Sequence, residues 1–140
     1  MIARMMISSK AEYACLALID LAQSGLGATL KRIRAIADAQ GIPRQYLTQI
    51  LLRLKAAGLV QSARGSIGGY QLARSPAGIT VAEVIAAIDG CAEPRVRRHS
   101  AAARSLAALL GKARSAEQTI LASATIAYLA ELVAGSDWSV

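Results

Sequence analysis

The sequence contains few of the residues on which enzyme sites and disulfide scaffolds depend. Its 140 residues include no Phe, one His and two Cys. A single His, with no carboxylate pair or nucleophile constellation around it, argues against an enzyme. Two Cys do not make a disulfide framework, which favours a reducing cytoplasm. We therefore predict a cytoplasmic protein that is not an enzyme.

Long apolar runs are also missing. No window of about 18 apolar residues is free of charge, so we expect no membrane span. The start, MIARMMISSK, lacks the apolar stretch of a signal peptide, although residues 1–5 could be an extension or a misplaced start. Apolar residues still make up 54% of the chain with only 4% aromatics, which favours a packed helical core.

The basic charge is confined to one half of the chain. Residues 1–75 hold ten Lys and Arg against three acids, whereas residues 76–140 hold six of each, so the net charge of +7 lies entirely in the first half. A basic module joined to a neutral one is typical of a polyanion-binding unit attached to a second function. The charge alone is equally compatible with a merely soluble surface.

Apolar spacing and Gly/Pro punctuation predict a mainly α fold with one small β-hairpin. Helices are expected at 8–24, 32–40, 43–57, 80–88 and 101–134. Ser8 or Ser9 can cap the first helix, Thr80 and Glu83 form a capping-box pattern, and the last helix could break near Gly111. Strands at 59–63 and 70–74 flank a Gly-rich turn suited to a hairpin.

Helix, short Gly-containing turn, helix and hairpin follow one another in the order of a winged helix-turn-helix. Ala37 lies four residues before Gly41, where a small side chain lets two helices cross closely. Gly41 can adopt the left-handed turn conformation. Leu47 and Ile50 then anchor the next helix to the core. This four-point spacing favours DNA binding over an ordinary helical hairpin.

The helix after the turn presents a polar strip. If Leu47, Ile50 and Leu54 face inward, the opposite face carries Gln45, Thr48, Gln49 and Leu52, flanked by Arg44 and Arg53. Gln, Thr and Arg suit hydrogen bonding to base edges in the major groove. Leu52 could touch a thymine methyl or pack on a partner helix. Arg64, at the hairpin tip, could enter the minor groove, bind a phosphate or simply be a solvated turn residue.

An ordered set of motifs over residues 6–90 resembles the Rrf2 family of bacterial regulators (the IscR, NsrR, RirA and CymR type). In chain order the motifs are Ile7-Ser8-Ser9-Lys10-x-x-Tyr13-Ala14, Ile36-Ala37-x-x-x-x-Gly41-Ile42-Pro43-x-x-Tyr46-Leu47, Leu51-x-x-Leu54-x-x-x-Gly58-Leu59-Val60, Arg64-Gly65-x-x-Gly68-Gly69-Tyr70-x-Leu72 and Ile79-x-Val81-x-Glu83-Val84-Ile85.

The resemblance implies a winged-helix DNA-binding domain over residues 1–90, a possible sensor loop over 91–100 and a helical dimerisation region over 101–140. It implies a homodimeric repressor or activator on a palindromic operator, with the recognition helix in the major groove and the wing in the minor groove. The expected double-stranded DNA contacts are Ser8, Lys10, Arg44, Gln45, Tyr46, Thr48, Gln49, Arg53, Arg64 and Gly65. Thr48 departs from the Glu of some members, which leaves the operator sequence open. A dimer seam is expected, in preference to a ligand pocket, along Ile120, Leu121, Ala124, Tyr128 and Leu132.

The sensing loop departs from the members that bind an iron–sulfur cluster, which carry three Cys there. This loop has Cys91, then His99 and Ser105 at the later places. One thiolate disfavours a cluster unless His99 and non-protein or partner ligands complete it, and a zinc site is no better supported. We therefore expect no cofactor. Cys91 is either a redox-sensing thiol activated by neighbouring Arg or an incidental loop residue.

A second interpretation keeps the family resemblance but changes the activity. The protein could act mainly through an enzyme or regulatory protein partner, with only weak nonspecific affinity for DNA. Micromolar, sequence-indifferent binding to palindromic duplexes would favour that interpretation.

Overall fold

The computed structural model describes residues 7–23, 30–63, 68–90 and 100–136. These residues form helices and one hairpin in the predicted order. The elements are α1 (Ser9–Gln23), α2 (Ile33–Gln40), α3 (Arg44–Ala56), β1 (Val60–Ala63), β2 (Gly69–Leu72), a short 3-10 turn (Pro76–Gly78), α4 (Val81–Asp89), α5 (Ala101–Ser123) and α6 (Ile126–Ser136). The predicted fold class, mainly helical with a small hairpin wing, is confirmed. In the part of the chain so described, no helix has the length and apolar character needed to cross a membrane.

Local signals fix the helix ends. Ser8 caps α1, since its hydroxyl accepts a hydrogen bond from the Ala11 amide at 3.0 Å. Thr80 and Glu83 form the predicted capping box at the start of α4. Ser100 caps α5 by accepting from the Ala103 amide at 3.0 Å. These caps satisfy backbone donors that the first helical turns leave unpaired.

α1 is the central helix of the core, as its nearly all-round apolar composition predicts. Leu18 and Leu21 are fully buried, together with Leu51 of α3 and Val84 of α4. α1 lies against α2, α3, α4, α6 and β2. A helix buried on so many sides must be apolar around most of its circumference. α2, α3 and the hairpin are therefore mounted on one common support.

The hairpin is antiparallel, with Val60 paired to Leu72 and Ala63 paired to Gly69. Its strands are one to two residues shorter than predicted at their outer ends. A short bridge joins its second strand to the segment before α2, because Lys31 and Tyr70 exchange backbone hydrogen bonds of 2.8 Å in both directions. The sequence pattern did not predict this third partner.

The C-terminal region differs from the single helix expected over 101–134. α5 runs through Gly111 without a break, and the chain is interrupted instead at Ala124 and Thr125. There Ala124 accepts from the Val81 amide at 2.9 Å and the Ile126 amide donates to Ile79 at 2.9 Å. Pairing with the start of α4 thus holds Ala124 and Thr125 out of helical conformation. Gly111 does not break α5, because a Gly within a helix costs only about 1 kcal/mol relative to Ala.

α6 folds back onto the N-terminal region of the same chain. Its first residue, Ile126, is fully buried, and the helix lies along α1 and the 3-10 turn. The predicted dimer seam is therefore divided between two helices. Ile120 and Leu121 belong to α5, Ala124 lies in the break, and Tyr128 and Leu132 belong to α6.

Candidate nucleic-acid interface

α3 has one buried and one exposed face, as its spacing predicts. Four aliphatic side chains anchor it in the core: Leu47, Ile50, Leu51 and Leu54. The opposite face is exposed and carries the predicted strip: Gln45, Thr48, Gln49 and Leu52. Leu52 is 55% exposed, so within this chain it contributes little to the core. The amides and hydroxyl of the strip are free of the core and available to a large external partner.

The turn between α2 and α3 has the expected geometry. Gly41 adopts a left-handed conformation with φ of 67° and closes α2 by donating its amide to the Ala37 carbonyl. The Ile42 amide donates to the same carbonyl at 3.0 Å. Ala37 is buried between the two helices with 4% of its surface exposed. The helix-turn-helix pair is thus held by backbone bonds and a small buried side chain.

Thr48 and Tyr46 have neighbours that limit what they can offer to DNA. The exposed Thr48 hydroxyl donates to the Arg44 carbonyl at 3.0 Å, so towards DNA it can act as an acceptor rather than a donor. Tyr46 is 41% exposed and stacks on Tyr13 of α1, with ring centroids 6.5 Å apart. Its ring is therefore braced by α1 and presented in a restricted orientation.

The flanking arginines of α3 have different environments. Arg44, at the first turn, is exposed, and the structure records no ion pair for it among the described residues. Arg53, near the last turn, is also exposed, but its Nη1 donates to the Ile88 carbonyl at the end of α4 at 2.5 Å. Arg53 therefore ties α3 to α4 in this structure, in addition to any contact with DNA.

Ser8 and Lys10 lie at the N-terminal end of α1. Besides capping the helix, Ser8 donates its backbone amide to Asp89 at 3.1 Å and its hydroxyl to the other oxygen of that carboxylate. A contact from Ser8 to DNA would have to compete with these bonds. Lys10 is exposed, which leaves its ammonium available for a phosphate.

Two further arginines, which the sequence analysis did not select, extend the basic surface. Arg32 and Arg34 are exposed where α2 begins, and no ion pair is recorded for either within the described ranges. The signal in the sequence was the basic cluster from Lys31 to Arg34 at a predicted helix start, where the backbone amides also favour anions. Arg64 and Gly65 of the wing lie outside the described residues, and so do Cys91 and His99.

The donor set of this chain does not match a cluster held by three thiolates. The sequence has two Cys and one His, and Cys15 lies in α1, where it packs against the core. Burial, reinforced by the nearby carboxylates of Glu12 and Asp89, raises the pKa of the Cys15 thiol to about 11. Cys15 is therefore a protonated thiol at neutral pH. Among the described residues no three His, Cys, Asp or Glu side chains are grouped as metal ligands.

α5 is the one long helix that is scarcely covered by its own chain. None of its 23 residues is buried, and it packs mainly along α4. Leu106, Leu109 and Ile120 are 56%, 62% and 66% exposed. Together with small residues they form a row, called here the α5 ridge, which repeats alternately every four and three positions: Ala102, Leu106, Leu109, Ala113, Ala116 and Ile120.

Comparisons with known proteins agree with this geometry. The profile of the Rrf2 family, described as an iron-dependent transcriptional regulator, matches residues 7–132. A putative HTH-type transcriptional regulator of Mycobacterium tuberculosis is 46% identical over 86 residues, which are 61% of this chain and 53% of that protein. The HTH-type transcriptional regulator IscR of Cereibacter sphaeroides is 40% identical over 86 residues, or 61% of this chain and 56% of the relative. The matched region thus spans little more than half the length of these relatives.

Solved structures match over more of the chain. The global cysteine regulator CymR of B. subtilis superimposes with a TM-score of 0.82 and 31% identity, covering 92% of this chain and 98% of that one. IscR of T. potens gives a TM-score of 0.77 with 29% identity and covers 95% of this chain and 91% of the other.

Proposed function

Because the chain belongs to the Rrf2 family of transcriptional regulators, which are not enzymes, we propose that it binds a palindromic operator as a homodimer and reads its sequence with α3. One observation carries the proposal. Four buried anchors hold α3 so that Gln45, Thr48 and Gln49 project from the molecule, beside a hairpin mounted on the same core. A helix presented in this way fits the major groove, and its amides can pair with base edges.

Charge supports a polyanion as the partner. The first half of the chain carries the whole net charge of +7. Lys10, Arg32, Arg34 and Arg44 are all exposed on elements that contribute to the helix-turn-helix or its support. Such groups position a duplex by contacting phosphates, whereas the α3 strip supplies the sequence preference. Affinity should therefore fall steeply as salt concentration rises.

The α5 ridge supports dimerisation. Its alternating spacing of four and three is the pattern with which two helices pack knobs into holes. A row containing Leu106, Leu109 and Ile120 would stay in water in the monomer, and a partner helix would remove it from water. We propose that the seam centres on α5, because α6 packs one face against α1 of its own chain and leaves Tyr128 and Leu132 exposed on its outer side, whereas α5 is uncovered over its whole ridge.

Regulation belongs to the loop over 91–100. The family profile is described as iron-dependent, but the donor set of this chain lacks the thiolates for a three-Cys cluster. Cys91 is the better candidate for a redox-responsive group, since Cys15 is held protonated by burial. If peroxide changes operator binding by the wild type and not by Cys91→Ser, the redox response is supported; identical behaviour of the two proteins would refute it.

The operator-binding proposal is tested by selecting duplexes from a random pool with the purified full chain. We expect a palindromic consensus. Gln49→Ala should weaken binding to it by about 10- to 100-fold and relax the preference at one base pair in each half-site, because a side chain reading a base edge discriminates by about 1–3 kcal/mol. Gln118→Ala, at an exposed position of α5 outside the ridge, is the matched control and should bind as wild type.

Failure to enrich any sequence would contradict the proposal. In that case binding that is micromolar and indifferent to sequence would favour action through a protein partner. Equal affinities of Gln49→Ala and wild type for the selected operator and its single-base variants would leave DNA binding intact but remove α3 as the reading element.

A further inference from the structure

We propose that Asp20 is a positioning residue that sets the hairpin relative to the helix-turn-helix, by holding Lys31 with one carboxylate oxygen and Gln40 with the other. The inference depends on the proposed DNA-binding function, because it concerns how the two DNA-contacting elements keep a fixed spacing. No part of the sequence analysis selected Asp20 or Gln40.

Asp20 is the one charged side chain that is buried among the described residues, with 5% of its surface exposed. It lies on α1, the central helix, within an otherwise apolar core. Burying a carboxylate is costly unless it is paired and hydrogen-bonded. Its bonds must therefore persist in the folded state, and they are more directional than the apolar contacts around them.

The two oxygens of Asp20 reach different elements. Oδ2 accepts from Lys31 Nζ at 2.6 Å, and the Lys31 side chain is itself only 25% exposed. Oδ1 accepts from Gln40 Nε2 at 3.0 Å. Gln40 is the last residue of α2 and immediately precedes Gly41, at which the chain turns into α3. One carboxylate thus holds both the end of α2 and the segment at Lys31.

Lys31 in turn carries the hairpin. Its amide donates to the Tyr70 carbonyl and the Tyr70 amide donates to the Lys31 carbonyl, each at 2.8 Å. The backbones approach so closely at the neighbouring Gly69 that a Cβ there would lie 2.6 Å from the Lys31 carbonyl oxygen. The base of the hairpin is therefore docked on Lys31, and Lys31 is docked on Asp20.

These successive contacts, from Asp20 to Lys31 and from Lys31 to the hairpin, predict an energetic coupling between the Lys31 side chain and the DNA contacts of the hairpin. Loss of the Lys31 side chain should release the hairpin and remove its contribution to operator binding, while leaving the α3 strip in place. A residue that only stabilises the fold would weaken all contacts with DNA alike. The distinction can be measured as non-additivity between pairs of substitutions.

The test compares operator affinities in two double-mutant cycles on the full chain, using the selected duplex. Lys31→Ala should weaken binding by about tenfold in the wild-type background and have little further effect in Arg64→Ala, because both substitutions remove the wing contact. In Gln49→Ala the loss from Lys31→Ala should stay about tenfold. Lys31→Arg keeps a cation for Asp20 and should restore most of the affinity.

A second variant disturbs the next contact outward, between Gly69 and the Lys31 backbone, without leaving a buried carboxylate unpaired. Gly69→Ala forces the hairpin away from Lys31 and should reproduce the pattern of Lys31→Ala. It should cause no further loss of operator affinity when combined with Arg64→Ala, and an additive loss when combined with Gln49→Ala. Gly78→Ala, whose new Cβ would have no neighbour within 4 Å, is the control and should bind as wild type. If Lys31→Ala does not fold, Asp20→Asn, which keeps the side-chain volume and removes the charge that holds Lys31, takes its place in both cycles.

The outcomes separate this inference from the proposed function. The positioning role is supported if Lys31→Ala and Gly69→Ala cause no further loss of operator affinity in the Arg64→Ala background. In the Gln49→Ala background each should still lower the affinity about tenfold. Equal losses in both backgrounds overturn that role while DNA binding stands. If the wild type enriches no sequence at all, the proposed function fails, and the positioning role fails with it.

Discussion

The head formed by α1–α4, the hairpin and α6 differs from α5 in how much of its surface its own chain covers. The head encloses the buried aliphatic core and carries the basic surface, whereas α5 has 23 residues and buries none of them. In the head the apolar faces of the helices are buried against one another, as an independently stable domain requires. α5 has the apolar content of a core helix, but its apolar side chains are not buried by their own chain. Its stability should therefore depend on a second chain.

Truncating one leucine in each region tests this difference in burial with the largest expected effect. Leu51→Ala in the head should lower the free energy of unfolding by about 2–5 kcal/mol, because it leaves a cavity in a closed core. Leu106→Ala on the ridge should change it by less than about 0.5 kcal/mol at dilutions where the chain is monomeric. Denaturant unfolding of both variants measures the difference, and equal losses would contradict the contrast.

A second test is to place a charge on the ridge. Leu109→Asp should raise the dimer dissociation constant by at least about 30-fold, because a central apolar contact of an interface contributes about 2 kcal/mol or more. Light scattering over a concentration series measures the dissociation constant. Glu131→Asp, at an exposed position of α6, is the control, and an unaltered dimer in Leu109→Asp would place the seam elsewhere.

The smallest expected effect concerns the thiol buried in the head. Since burial raises the pKa of Cys15 to about 11, the folded state keeps its proton to higher pH than the unfolded state does. The stabilising effect is complete below about pH 9 and is lost as pH rises through 11, by about 2 kcal/mol. Cys15→Ala should remove this part of the pH dependence. Unfolding free energies measured from pH 8 to 11 provide the test, and parallel curves for the two proteins would refute it.

Local patterns were sufficient to predict the helices and the hairpin of the head and their order. Ala37 and Gly41 identified the turn because a close helix crossing and a left-handed residue have specific residue requirements. Thr80 and Glu83 identified the start of α4 because a capping box needs only residues within one turn. The exposed strip followed from helical periodicity once the buried positions of α3 were assigned.

Contacts between distant segments were beyond the reach of such patterns. The break at Ala124 and Thr125 arises from backbone pairing with the start of α4, and the Ala-rich sequence around it favours a continuous helix. The bonds from Arg53 to Ile88 and from Lys31 to Asp20 join residues 35 and 11 positions apart. No spacing rule relates residues whose proximity depends on the whole tertiary fold.

Operator recognition requires that α3 lie against DNA, and a cleavage reagent attached to α3 tests this placement directly. Gln49→Cys in a Cys15→Ala, Cys91→Ser background offers one reactive thiol. An iron–EDTA chelate coupled to it cleaves nearby DNA backbone when ascorbate and peroxide are added. We expect cleavage at two symmetric positions inside the selected operator, and none from the same chelate coupled through Gln118→Cys. Cleavage that is absent, or scattered without relation to the operator, would contradict the account.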